Sequence, residues 1–401
     1  MRFSGFEGKW ESNKLGNLLE FKNGINASKE QYGKGVKFIN VLDILNNDFI
    51  TYENIVGKVD VDKTIIEKFS VQYGDVLFQR SSETREEVGT ANVYLDKENN
   101  ATFGGFVIRG KKIGNYNPIF FNKLLKTSSA RDSITSKSGG STRFNVGQEI
   151  LSSIVLYFPS LTEQDKIADF LSLVDNRIST QKKIISHLET LMKNSQENIF
   201  NQKLKLKKEN GSNFPEWKIK KLGDLLIESK EKSKEKNQYR IISSTAIGLF
   251  YQDDYFTRDI ASQDNTGYKI LKKNQLVFSP QNLWLGNINV NSDFEIGLVS
   301  PSYKIFNFNE NITSSSFCKY YLKTSAMLFE FGQSSIQGAS VVRRNLDLNM
   351  FFNIKIQIPS IDEQIKIAQF LFSLAEKIKL EKNVLAQYEI QKKYLLSNLF
   401  V

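Results

Sequence analysis

The feature that most constrains this chain is a 43-residue stretch that occurs twice. Residues 158–200 and residues 358–400 align without a gap at a separation of 200 positions, and 15 of the 43 aligned positions carry the same amino acid. A repeat of this length indicates a duplicated structural unit. The chain is therefore expected to contain two copies of one supersecondary element, with other structure before each copy.

Each copy is predicted to form one long helix. A proline precedes each start, and Ser160-x-x-Glu163 and Ser360-x-x-Glu363 both fit a capping box, in which the serine and glutamate side chains bond to free backbone N–H groups. No glycine or proline interrupts either copy after that point. At 1.5 Å per residue, such a helix is a rod of roughly 60 Å.

Apolar residues recur along both copies at alternating spacings of four and three, which is the pattern of a coiled-coil seam. The first seam is Ile167, Leu171, Val174, Ile178, Ile185, Leu188, Met192 and Ile199, and the second is Ile367, Leu371, Leu374, Ile378, Leu385, Tyr388, Leu395 and Leu399. Because the two seams match in length and register, we expect them to pack on each other. The alternative is that each seam packs separately on its own domain.

The remaining sequence divides into two similar blocks. We assign residues 1–158 to the first block, 159–208 to the central helix segment, 209–358 to the second block and 359–401 to the C-terminal helix. Trp10 and Trp217 open the blocks, and each precedes a Lys-Leu-Gly triplet by the same distance. Residues 74–78 and 274–278 are equivalent short apolar runs. Such runs, separated by glycine and asparagine turns, predict an α+β fold.

Composition narrows the class of protein. The net charge of +10 favours a polyanionic partner. The single cysteine, Cys318, excludes an internal disulfide and is typical of a reducing compartment. No signal-peptide core is present at the start, and no apolar run approaches the ~20 residues that span a bilayer. We expect a soluble, cytoplasmic protein.

Both helix starts carry a shared signature, Pro-Ser-Leu-Thr-Glu-Gln-Asp-Lys-Ile-Ala from Pro159 and Pro-Ser-Ile-Asp-Glu-Gln-Ile-Lys-Ile-Ala from Pro359. With two variable blocks alternating with two similar helices, the whole chain resembles the specificity subunit of Type I restriction-modification systems. The resemblance implies that each block is a target recognition domain for one half of a bipartite site in double-stranded DNA. It also implies that the helices form an antiparallel coiled coil that spaces the two domains.

The same resemblance implies partners and cofactors. The helices are expected to dock modification (methyltransferase) subunits, two in number, and restriction (motor and nuclease) subunits are expected to join the full complex. S-adenosylmethionine, ATP and Mg²⁺ then belong to the partner subunits, and this chain is expected to bind none of them.

A search for catalytic motifs agrees with that expectation. His187 is the only histidine, so a histidine cluster for a metal ion is impossible, and it lies beside the seam on a predicted helix. Residues 105–111 match the glycine and lysine spacing of a phosphate loop, but Lys112 replaces the Mg²⁺-binding Ser or Thr. Asn117-Pro118-Ile119-Phe120 departs from the methyltransferase loop that it resembles. We predict neither a catalytic residue nor a metal ligand in this chain.

Arginine reads guanine, asparagine and glutamine read adenine, and basic and hydroxyl side chains contact phosphates. Such residues concentrate in two loops of each block, one after the equivalent strands and one before each long helix. The DNA-binding candidates are Gln79, Arg80, Ser81, Arg85, Lys137, Thr142 and Arg143 in the first block, and Gln281, Asn282, Gln337, Arg343 and Arg344 in the second.

Two other functions remain open at this point. The chain could be the recognition part of a lone methyltransferase or endonuclease, against which the missing motifs argue. It could also be a coiled-coil scaffold outside any restriction system, in which case its positive charge is incidental.

Overall fold

The computed structural model describes residues 2–255, 264–337 and 344–400. The chain divides into two compact units. The first unit holds Met1–Lys182 together with Asn383–Val401, and the second unit holds Lys183–Lys382. Each unit therefore consists of one globular block and a part of each long helix.

The first block is built from short strands and short helices. Its strands are β1 (Glu11–Lys14), β2 (Leu19–Asn23), β3 (Tyr32–Ile39), β4 (Lys58–Val59), β5 (Val76–Gln79), β6 (Ser81–Ser82), β7 (Ala91–Val93), β8 (Thr102–Phe103), β9 (Val107–Lys112), β10 (Phe144–Asn145) and β11 (Val155–Phe158). Its helices are α1 (Leu15–Leu18), α2 (Val41–Leu45), α3 (Lys63–Lys68), α4 (Pro118–Leu124), α5 (Ser128–Thr135) and α6 (Gln148–Ser153). The first long helix, α7 (Leu161–Phe200), follows.

The second block has the same kind of structure. Its strands are β12 (Lys218–Lys221), β13 (Leu226–Glu228), β14 (Ile242–Ser244), β15 (Leu249–Tyr251), β16 (Lys269–Lys272), β17 (Leu276–Phe278), β18 (Ile288–Val290), β19 (Ile296–Val299), β20 (Lys304–Phe308), β21 (Ser335–Gln337), β22 (Arg344–Leu346) and β23 (Lys355–Ile358). Its helices are α8 (Gln252–Tyr255), α9 (Ser315–Tyr321), α10 (Ser325–Gln333) and α11 (Leu348–Asn353). The second long helix is α12 (Ile361–Leu399).

The two blocks share their terminal strand pair and the order of their central sheet, while their remaining strands pair differently. The first strand of each block pairs antiparallel with the last, β1 with β11 and β12 with β23. The central sheets have the orders β2-β9-β5-β7 and β13-β20-β17-β18. The strands predicted to be equivalent, β5 and β17, occupy the same position in these sheets, and every residue of both strands is buried. The α+β prediction is confirmed.

The glutamine of the shared signature fastens each long helix to its block. Gln164 and Gln364 are both buried, and the side-chain Nε2 of each donates to the carbonyl of the proline five residues earlier, at 2.9 and 3.0 Å. The Oε1 of Gln164 accepts from the Asn117 backbone N–H, and that of Gln364 from the Ser314 N–H. The glutamine therefore ties the helix start to the loop before α4 or α9.

The capping-box prediction is half correct in the first copy. The Ser160 hydroxyl accepts from the Glu163 backbone N–H at 3.3 Å, as expected. The Glu163 carboxylate does not turn back to the helix start. It forms a bidentate ion pair with Arg2, whose Nε and Nη2 donate to the two carboxylate oxygens at 2.8 and 2.7 Å. This pair links Arg2 to α7.

Within each unit, the two long helices run antiparallel. In the first unit Lys182 pairs with Glu389 at 3.3 Å, and in the second unit Lys382 pairs with Glu189 at 2.7 Å. These are the same pair in the two repeats, because each residue of the second lies 200 positions from its counterpart in the first. The seams pack on each other, because Ile167 and Leu171 share one core with Leu395 and Leu399, and Ile367 and Leu371 share another with Ile199.

Burial follows the predicted seam along both helices. Most of its residues are buried, and the half-buried members are Met192, Leu374, Ile378, Leu385 and Tyr388. The α7 helix ends where Gln202 adopts a positive φ of 56° and the Lys203 N–H donates to the Asn198 carbonyl, which is a common helix stop. In the part of the chain that the structure describes, no helix combines the length and apolarity that a membrane span requires.

Candidate nucleic-acid interface

In the first block the two predicted loops lie side by side. The loop after β5 continues into β6, and the loop before the long helix ends in β10, which pairs with β6 so that Ser81 faces Asn145. The Ser81 hydroxyl donates to the Asn145 Oδ1 at 2.8 Å. The Val146 N–H donates to the Arg80 carbonyl at 3.0 Å. Segments about sixty residues apart in sequence therefore form one surface.

Exposed arginine and threonine side chains lie on this surface. Arg80, Thr142 and Arg143 are exposed, and the Arg80 guanidinium makes one long contact, 3.4 Å to the Gly105 carbonyl. Arginines that are held only weakly by the protein keep most of their N–H donors available for phosphates or base edges. The arrangement suits a nucleic-acid ligand.

Two further candidates hold the loops in place as well as adding charge. The Arg85 Nε donates to the Thr135 carbonyl at 3.2 Å, at the end of α5, where a cation also complements the helix dipole. Lys137 donates to the Ser153 carbonyl at 3.2 Å. Beneath them, Arg131 donates to the carbonyls of Glu86 and Val88, and burial lowers the pKa of its guanidinium.

Gln79 is a correction to the predicted set. Only 4% of its surface is exposed, and its Nε2 donates to the Ser81 carbonyl at 2.9 Å. A side chain inside the domain cannot reach a base in the major groove. Gln79 instead shapes the loop that presents Ser81.

The second block also brings its two loops together. Gln281 is exposed and Asn282 is half-buried in the loop after β17. The Arg344 N–H donates to the Gln281 carbonyl at 3.4 Å. Gln337 pairs with Arg344 across the β21–β22 ribbon. The last candidate, Arg343, lies outside the described residues.

Two aromatic residues next to these loops were missed by the sequence analysis. Phe106 is 65% exposed, and its carbonyl accepts from the Arg80 N–H at 2.9 Å. Trp284 lies under the guanidinium of Arg344, with 4.3 Å between the guanidinium carbon and the ring centroid. For Phe106 the available signal was an aromatic residue next to glycine, and for Trp284 it was an aromatic residue close to the predicted loop residues Gln281 and Asn282, since aromatic faces stack on bases and on arginine.

The segments that partly match catalytic motifs have structural roles. Residues Val107–Lys112 form β9, so they do not make a phosphate loop. The Asn117 Oδ1 caps α4 by accepting from the N–H groups of Ile119 and Phe120, at 2.9 and 3.0 Å. His187 is exposed on α7. Among the described residues, no group of three or more His, Cys, Asp or Glu is placed to hold a metal ion.

Comparison with known proteins assigns the class. A family model described as the Type I restriction modification DNA specificity domain matches residues 7–190 and again residues 215–389. The two blocks with their paired basic loops therefore correspond to two DNA specificity domains in tandem. Because the two matches cover most of the sequence, the chain belongs to this family, and its function is DNA target recognition.

Individual relatives cover nearly the whole chain. A Methanocaldococcus jannaschii protein named as the MjaX specificity subunit of a type I restriction enzyme is 22% identical over 415 residues, covering 97% of this chain and 92% of that protein. The type I restriction-modification S subunit of M. genitalium superposes with a TM-score of 0.54 at 17% identity, covering 100% and 99% of the two chains. A chain from a structure of assembly and conformational transition in the type I R-M system gives 0.57 at 14% identity, covering 98% and 96%. These structures share the fold.

The exposed arginines of the first block allow a direct test. We expect Arg143→Ala and Arg80→Ala each to weaken binding of the cognate duplex by about 1–3 kcal/mol where the side chain reads a guanine, with relaxed specificity at one base pair. A phosphate contact instead weakens binding to all sequences alike and lowers the salt slope by about one. Binding is measured by fluorescence anisotropy across a salt series. Lys63→Ala, an exposed lysine on α3, is the charge-matched control, and two silent arginine variants would remove these loops from the interface.

Proposed function

We propose that each block reads one half of a bipartite target in double-stranded DNA. The observation that carries the proposal is the pair of adjoining loops in each block, at equivalent places beside two central sheets of the same strand order. Their exposed side chains are those that contact base edges and phosphates. The chain's net charge of +10 supports the same ligand.

We further propose that the long helices set the distance between the half-sites and dock two modification subunits, with restriction subunits joining the full complex. Large apolar side chains outside the seam support a protein partner. Exposed fractions are 63% for Leu173, 54% for Phe372, 62% for Leu380, 61% for Ile390 and 60% for Tyr394. Four of these five residues lie on α12, and exposed apolar residues gathered on a helix support an interaction surface.

The chain is proposed to be a non-catalytic subunit that works in the cytoplasm beside its DNA. S-adenosylmethionine, ATP and Mg²⁺ are assigned to the partner subunits. This assignment is supported by the structural roles of the segments that could have served such chemistry, since β9 is a strand of the central sheet and Asn117 is a helix cap. The modification subunits would then transfer the methyl group, and the restriction subunits would translocate and cleave DNA.

A domain exchange tests the proposal. We expect replacement of residues 217–359 by the equivalent block of a relative with a different target to change one half-site only. The other half-site is retained because the first block is intact. The length of the unread spacer is retained because the central helix is unchanged. Methylated positions are mapped by methylation-sensitive sequencing of a host that also expresses the modification subunits.

The control is the same host carrying the exchanged chain without the modification subunits, in which no methylation is expected. A change in both half-sites would contradict the assignment of one half to each block. A changed spacer alongside a single altered half-site would instead remove the helices as the determinant of spacing.

A further inference from the structure

Arg344 of the second block stacks on an aromatic ring in the candidate interface. Its guanidinium carbon lies 4.3 Å from the centroid of the Trp284 ring. The Arg344 Nε is shielded from solvent, and so is the indole Nε1 of Trp284, yet neither has a partner in the described part of the chain. A buried N–H without an acceptor is costly, so an unpaired arginine donor in a binding loop points to an acceptor supplied by a ligand.

Two other stacked arginines donate to acceptors within the protein. Arg240 lies over Tyr251 and also pairs with Asp253 and Asp254, at 2.6 and 3.1 Å. Arg109 lies over Phe103 and its Nη1 donates to the Ser70 carbonyl, while its Nε, like that of Arg344, is buried without a partner. In both, stacking on an aromatic ring accompanies an internal acceptor. Across residues 2–255, 264–337 and 344–400, the Arg344 Nε has the ring beside it and no acceptor.

The backbone of Arg344 is also held by hydrogen bonds. Its N–H donates to the Gln281 carbonyl, and its strand pairs with β21. The ring restricts the plane of the guanidinium, so little conformational entropy remains to be lost when it binds. The N–H donors of a guanidinium held in this way can bind two adjacent acceptors that lie in one plane. In DNA these acceptors are O6 and N7 of guanine.

The first block has no arginine at the equivalent position. The residue 200 positions earlier is Phe144, which pairs with Ser82 in the β6–β10 ribbon and packs against the core. We propose that Arg344, positioned by Trp284, reads a guanine in the half-site of the second block. This inference rests on the proposed function and adds a specific base and the pair of residues that selects it.

The test uses the complete chain with its modification subunits and a panel of duplexes in which every base pair of the mapped target is varied in turn. We expect Arg344→Ala to weaken cognate binding about tenfold to a hundredfold, the range for a bidentate arginine–guanine contact. Discrimination should collapse at one G·C pair of the second half-site and persist at all other positions. Arg344→Gln should relax the same position.

Trp284 is a positioning residue and has its own readout. Trp284→Ala should relax discrimination at the same G·C pair with a smaller loss of affinity, whereas Trp284→Phe, which keeps an aromatic platform, should restore it. Arg240→Ala is the matched control, because it removes a stacked arginine that the protein already satisfies. That control should leave discrimination intact at every position.

Failure of this inference is distinguishable from failure of the proposed function. If the wild-type complex discriminates at both half-sites and Arg344→Ala keeps full discrimination, only the reading role of Arg344 is lost. Uniform weakening on all duplexes with a lower salt slope would make Arg344 a phosphate contact and overturn the guanine assignment. If the wild-type complex shows no sequence preference, the proposed function itself fails. Circular dichroism and melting curves for each variant exclude misfolding as the cause.

Discussion

Replacing Asp175 with asparagine is expected to lower the free energy of unfolding of the first unit by about 3–5 kcal/mol, the usual cost of removing one partner from a buried ion pair. Asp175 on α7 lies between two lysines, with its Oδ2 at 2.5 Å from the Lys123 Nζ and its Oδ1 at 2.8 Å from the Lys392 Nζ. The Lys123 side chain is only 5% exposed. Without the carboxylate, this buried ammonium group has no counter-charge, which is the source of the expected loss.

The pH dependence follows from the same contacts. Burial raises the pKa of Asp175, but hydrogen bonds and charge from Lys123 and Lys392 outweigh it and hold the pKa below its ordinary value. The carboxylate therefore stabilises the fold fully above the pKa of the unfolded state, ordinarily about 3.9, and loses this effect as the pH falls through the lower folded-state pKa. The stability gap between wild type and Asp175→Asn should be largest near pH 7 and shrink below about pH 4, as measured by urea unfolding.

The second unit supplies the control for this prediction. At the positions equivalent to Lys123, Asp175 and Lys392 it has Tyr320, Ala375 and Met192, and Met192 and Tyr320 pack against its core. The triple variant Lys123→Tyr, Asp175→Ala, Lys392→Met should therefore be more stable than Asp175→Asn alone, because no charge is left buried. An Asp175→Asn protein as stable as wild type at pH 7 would show that the triad does not hold the first unit together.

Phe400→Ala is the second change with a large expected effect, again about 3–5 kcal/mol, because a buried aromatic side chain is removed and a cavity remains. Phe400 directly follows α12 and packs in the first unit, with its ring centroid 5.3 Å from that of Phe120 and 6.2 Å from that of Trp10. We expect amide hydrogen exchange, followed by mass spectrometry, to show lost protection in peptides of the first unit and unchanged protection in those of the second.

The repeat supplies a matched variant with the opposite result. Phe200 is the equivalent residue at the end of α7, and its ring lies 5.7 Å from Phe317 and 5.1 Å from Tyr321, in the second unit. Phe200→Ala should therefore reduce protection in the second unit and spare the first. Equal loss in both units from either variant would mean that the units do not unfold independently.

The sequence by itself determined the features that local patterns encode. The duplicated stretch, the two long helices, their seam and the α+β character of the blocks all follow from periodicity and repetition, which require no knowledge of the chain path. The candidate loops were found in the same way, because arginine, amide and glycine residues cluster next to recognisable strands.

Only the tertiary structure decided which residues meet across long separations. It buries Gln79 inside the first block, turns the Glu163 carboxylate towards Arg2, and places Trp284 beneath Arg344. It also assembles Lys123, Asp175 and Lys392 from three separate segments. No periodic pattern encodes these contacts, because each depends on the path of the chain between its partners, and that path is selected by the packing of the whole unit.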